Sequence, residues 1–96
     1  MPYLRAYERG KMNIVIYTQA ACPYCDLAKK EMDSRGWEYT VYSINEGSLA
    51  KNNRASLFER LPDVKTVPQI WINDNHIGGY DDLKTWLSEY LDSKYI

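Results

Sequence analysis

The sequence predicts an α/β domain in which three helices flank a four-stranded mixed sheet. Three observations carry that prediction. A continuous apolar, β-branched run occupies Asn13 to Thr18, a Cys-x-x-Cys pair follows it at Cys22 and Cys25, and two short strand-like runs joined by a polar turn precede a final amphipathic stretch. The length agrees, since 96 residues with 45% apolar content support one core and are too few for two.

Residues 1–11 mix charges and aromatics without a period and are expected to form an N-terminal extension, with the domain proper spanning residues 12–96. Asn13 to Thr18, N-I-V-I-Y-T, has the uninterrupted apolar character of a strand covered on both faces, which makes it the predicted central strand. In Q-A-A-C-P-Y-C, Pro23 suits the first position of a helix. Ala28 to Met32 continue that helix with helix-forming residues, and Gly36 ends it. Trp37 to Ile44 is rich in aromatic and β-branched residues and is predicted to be a second strand, parallel to the first through a right-handed crossover. Ser48 to Leu61 is predicted as a more polar helix presenting Leu57, Phe58 and Leu61, stopped by Pro62 and Asp63. Gln69–Ile72 and His76–Gly78 are predicted to form a hairpin across Asn73, Asp74 and Asn75. Leu83, Trp86, Leu87, Tyr90 and Leu91 fall on one helical stripe, predicted to face the core. The order β-α-β-α-β-β-α, with Cys-x-x-Cys where the first strand meets the first helix, describes a thioredoxin-like fold.

Charge and hydropathy exclude some partners. Twelve basic against 13 acidic residues offer no sequence-independent attraction to nucleic acid or to an anionic membrane. The chain has no run of roughly 20 apolar residues and no apolar segment near its start of the signal-peptide kind, so it is expected to remain in the cytoplasm. Trp37, Trp71 and Trp86 lack the accompanying cations of a base-stacking platform and are assigned to packing.

A disulfide between residues three apart closes too small a loop to restrain the unfolded chain, so the pair is a poor structural staple. Redox chemistry and metal binding are the alternatives. Zinc needs about four ligands, whereas the chain supplies two Cys and a solitary His76 in a predicted strand, so no metal is expected. Thiol–disulfide exchange needs a thiolate. Cys22 lies at a helix start, where unpaired amides and the dipole can lower a thiol pKa from about 8.5 to roughly 3.5–7.5. Cys25, one turn further in, faces the same side, so Cys22 is expected to attack and Cys25 to resolve.

The C-P-Y-C at Cys22 to Cys25, the Y-T before it, the T-V-P-Q at Thr66 to Gln69 and the G-G-Y-D-D at Gly78 to Asp82 together resemble the dithiol glutaredoxins, over essentially Met12 to the C-terminus. Thioredoxins carry C-G-P-C, and iron–sulfur-carrying monothiol glutaredoxins C-G-F-S. The resemblance implies an oxidoreductase that reduces protein–glutathione mixed disulfides and protein disulfides, with glutathione as reducing co-substrate. Its implied partners are glutathionylated or disulfide-bonded proteins, with ribonucleotide reductase as one client, and a monomer is expected. It also implies a cis bond before Pro68, with Thr66, Val67 and Pro68 presenting backbone to the cysteine of glutathione. The γ-glutamyl end would lie against Tyr80 and Asp81, and Arg54 would meet the glycyl carboxylate. Tyr24 is expected to border the groove, and Gln19 to stand beside the glycyl carboxylate, where many relatives have Lys. Tyr80 stands where relatives often have Cys, leaving only the active pair of thiols. Two other functions compete: a carrier of a [2Fe-2S] cluster held by Cys22 of two chains and two glutathiones, and a client of thioredoxin reductase.

Overall fold

The computed structural model describes residues 12–95, with side chains to residue 91; the proposed extension at residues 1–11 lies outside the described residues. The elements are β1 (Ile14–Thr18), α1 (Pro23–Ser34), β2 (Thr40–Ser43), α2 (Ala50–Arg60), β3 (Gln69–Ile72), β4 (Asn75–Gly78) and α3 (Tyr80–Tyr95). The sheet order is β2-β1-β3-β4, with β1 parallel to β2 and antiparallel to β3, and β3 antiparallel to β4. This is a thioredoxin-like fold.

The apolar run of β1 is explained by its place inside the sheet. Ile14 and Ile16 enter a core with Ala28 and Met32 of α1, Ile70 and Ile72 of β3, and Leu83 and Leu87 of α3. Tyr17 enters a second core with Leu57 of α2 and Trp71. Burying one such aliphatic side chain contributes about 1.5–3 kcal/mol. The Tyr17 hydroxyl is kept satisfied by a 2.9 Å hydrogen bond with Ser56 Oγ.

Helix α1 ends at Gly36 as predicted. Gly36 adopts φ +70°, its N–H donates to the Asp33 carbonyl, and the Trp37 N–H reaches back to the Met32 carbonyl. This is a Schellman closure, which glycine permits without a Cβ penalty. That closure corrects the second strand, which is shorter than the predicted Trp37–Ile44. Pairing begins only at Val15 opposite Thr40. Trp37 is occupied instead with α3, its ring 6.1 Å from Trp86 and 5.7 Å from Tyr90. Tyr39 donates its hydroxyl to Asp33 at 2.8 Å, and burial, reinforced by that carboxylate, pushes the phenol up to about 12. Two further expectations are corrected. Leu91 is 37% exposed rather than core-facing, and Phe58 stands 47% exposed on α2. In the last case the second core closes on Leu57 alone in α2, with Leu61 packed at its border.

Candidate active site

Strand β1 delivers the chain to a turn in which Ala21 takes φ +56°, a left-handed conformation uncommon for a residue with a Cβ. The Ala20 N–H donates to Asn45 Oδ1 at 3.0 Å, which ties this turn to the loop after β2. Cys22 is then the N-cap of α1 and Pro23 its first helical residue. Cys22 and Cys25 are joined as a disulfide, with Cα atoms 5.2 Å apart. The Cys25 N–H nevertheless aims at Cys22 Sγ, 3.2 Å away. One of the orphan amides of the helix start is thus satisfied by sulfur, and the same amide would favour a thiolate there once the pair is reduced. The two residues differ in access, since Cys22 is 8% exposed and Cys25 1%.

Opposite Cys22 runs the segment Thr66–Pro68. The Val67–Pro68 bond is cis, and the Val67 carbonyl oxygen lies 3.6 Å from Cys22 Sγ. Gln69 anchors this segment. Its buried side chain donates from Nε2 to the Thr66 carbonyl at 3.1 Å, while its Oε1 meets His76 Nε2 at 2.8 Å. An amide oxygen only accepts, so His76 carries its proton on Nε2 in this arrangement. The imidazole is held from its other side by the Trp71 ring, 4.7 Å away between centroids.

Two hollows flank Thr66 and Val67. One, of about 270 Å³, is bordered by Tyr24, Pro68, Gly79, Tyr80, Asp81 and Asp82. The start of α3 forms its floor. Here Asp82 Oδ2 accepts from the Gly79 N–H at 3.0 Å, the carboxylate half of a capping box three residues into the helix. Glycine is required at position 78, because φ is +119° and a Cβ would fall on the Asp82 carboxylate. Asp82 takes the capping role, and both Asp81 and Asp82 border the hollow. The first-turn amides of Tyr80 and Asp81 have no carbonyl within their own helix to meet. The rings of Tyr24 and Tyr80 lie 6.1 Å apart, and Lys84 Nζ stands 5.6 Å from the Tyr80 ring. The other hollow, of about 290 Å³, is bordered by Gln19, Lys65 and an apolar wall of Ile44, just after β2, Leu57 and Phe58 of α2, and Val64.

The structure therefore places Gln19, Tyr24, Thr66, Val67, Pro68, Tyr80 and Asp81 along two hollows that share Thr66 and Val67, and the Val67 carbonyl faces Cys22 Sγ. Arg54 does not itself line either hollow: its guanidinium donates at 2.8 Å to the carbonyl of Ile44, a residue of the second hollow's wall, and Lys65 borders that hollow directly. Gln69, His76 and Asp82 escaped sequence reasoning in these roles, although the T-V-P-Q and G-G-Y-D-D motifs contain two of them.

The sequence model of the glutaredoxin family matches residues 14–77. Glutaredoxin 1 of Escherichia coli is 36% identical over 87 residues, covering 85% of this chain and all of that protein. Glutaredoxin 3 of the same organism is 44% identical over 71 residues, 74% of this chain and 81% of that one. The crystal structure of glutaredoxin 1 from Francisella tularensis superimposes with a TM-score of 0.68 at 30% identity, covering 84% of this chain and 98% of that one.

Proposed function

Because the chain belongs to the glutaredoxin family and is a thiol–disulfide oxidoreductase, we infer that glutathione is its reductant and Cys22 its attacking sulfur. The observation that supports this best is the double environment of Cys22 Sγ. A helix-start amide points at it from one side, and the Val67 carbonyl faces it from the other, where an extended cysteinyl substrate can align its backbone.

With a glutathionylated protein, the Cys22 thiolate attacks the glutathione sulfur, a Cys22–glutathione disulfide forms, and the protein leaves as a thiolate that takes up a proton. A second glutathione thiolate attacks the glutathione sulfur of that intermediate, yielding glutathione disulfide and returning Cys22 as thiolate. With a protein disulfide, Cys22 attacks one sulfur and releases the other. The Cys25 thiolate then attacks Cys22 Sγ, which frees the reduced protein and leaves the Cys22–Cys25 disulfide. Two glutathiones restore the dithiol. Ribonucleotide reductase belongs among the proposed disulfide clients, and a cytoplasmic monomer is the proposed working form. Among the described residues no helix is long and apolar enough to cross a membrane.

Within this reading, Tyr80 and Asp81 amides receive the γ-glutamyl carboxylate, the Asp81 side chain its ammonium, and Thr66–Pro68 the cysteinyl backbone. Gln19 faces the glycyl end, where Lys65 supplies the cation first assigned to Arg54. The test is reduction of a small glutathione mixed disulfide coupled either to glutathione with glutathione reductase or to thioredoxin reductase. Turnover with the first system alone is expected; turnover with the second alone would assign the chain to the thioredoxin type.

A further inference from the structure

The two hollows share Thr66 and Val67, the residues that face Cys22 Sγ, but their chemistry differs. The hollow at α3 is built of backbone amides, a carboxylate and tyrosines, as a γ-glutamyl group requires. The other has a wall formed by Ile44, Leu57, Phe58 and Val64, with Lys65 beside it. On the glutathione reading this second hollow receives the residue that follows the reactive cysteine. In glutathione that residue is glycine, which has no side chain to place against the wall.

A single exposed apolar side chain is ordinary and carries no implication. Phe58 differs in its location. It is 47% exposed on α2, yet it borders a concave space of about 290 Å³ that Val67 also borders, and the residue after a cysteine aligned with Val67 falls one strand step of about 3.3 Å further on. Lys65 beside it matches a carboxylate on the same residue, and Arg54 is committed to the Ile44 carbonyl. We propose that this hollow selects disulfide substrates whose cysteine is followed by a large apolar residue bearing a carboxylate, and that Phe58 determines the preference. The proposal rests on the glutathione reading and adds a substrate class to it.

The test compares two mixed disulfides of 2-mercaptoethanol, one with glutathione and one with γ-glutamyl-cysteinyl-leucine, against the reduced protein in a stopped-flow instrument. In each, Cys22 attacks the peptide sulfur and 2-mercaptoethanol leaves as its thiol, whose release is read directly. Filling an apolar pocket discriminates by about tenfold or more per added group, so in this open hollow the leucyl compound should react about 5–10-fold faster. That ratio should fall to near one in Phe58→Gln, which keeps a helix-forming residue, and persist in Phe58→Leu. A ratio near one in the unmodified protein, or a ratio unchanged in Phe58→Gln, overturns the proposal while leaving the glutathione reading intact. Failure of both compounds to react overturns that reading and this proposal with it.

Discussion

Cys22 has two duties in the proposed reaction, because the atom proposed to attack a disulfide also accepts the Cys25 amide as the cap of α1. Serine caps a helix start well, so Cys22→Ser should stay folded and lose every redox activity. Cys25→Ser should still reduce a glutathionylated substrate, since a second glutathione can release the first. Its reduction of a protein disulfide should fall by at least ~10-fold, for the intramolecular resolver is gone. Assaying both variants on both substrates checks this; equal losses on the glutathionylated substrate would rule out the monothiol route. Gln19 borders the hollow next to Thr66 and Val67, so Gln19→Lys should lower the Cys22 pKa, less at high salt. Thiolate absorbance against pH measures it, and an unchanged value would place Gln19 too far from the sulfur. At this scale the motifs pointed to the residues that border the two hollows beside Val67, because their chemistry is local. They could not reveal that Asp82 rather than Asp81 closes the cap, or that Arg54 turns to the Ile44 carbonyl, since both outcomes depend on side-chain directions set by tertiary packing.

Among the elements, α1 is bounded at both ends by residues legible in the sequence, Pro23 at its start and Gly36 just past its end. Gly36 has open space around it, so Gly36→Ala tests conformation alone. The left-handed φ should cost about 1 kcal/mol of stability, read as a lowered denaturant midpoint with the slope unchanged. No loss would mean that the loop can close without the left-handed turn. Strand β2 was overestimated because Trp37 and Tyr39 favour strands by composition, whereas here they serve as packing and hydrogen-bonding side chains of a loop. The stripe predicted on α3 extends one residue beyond the core, since Leu91 meets solvent.

Across the whole molecule the sheet divides the interior into two cores, one under α1 and α3 and one under α2. Ile14 and Leu57 belong to different cores, so their losses should be independent. Ile14→Val should cost about 0.5–1.5 kcal/mol and Leu57→Ala about 2–5, and the double variant should equal the sum within about 0.5. A larger discrepancy would show that strain crosses the sheet. The β-α-β-α-β-β-α order was legible because each element carries its own period and breakers. The partition of the cores was not, because it depends on which face of β1 each side chain takes. The central pairing joins Ile14 to Ile72 and Tyr17 to Gln69, so β1 gains its second neighbour only from the far part of the chain. During synthesis, then, Cys22 leaves the ribosome long before Thr66–Pro68 exist to stand opposite it. A nascent chain that stops short of β3 lacks the Val67 carbonyl opposite Cys22, so on the proposed reading selectivity for a disulfide partner begins only when the last third of the protein has emerged.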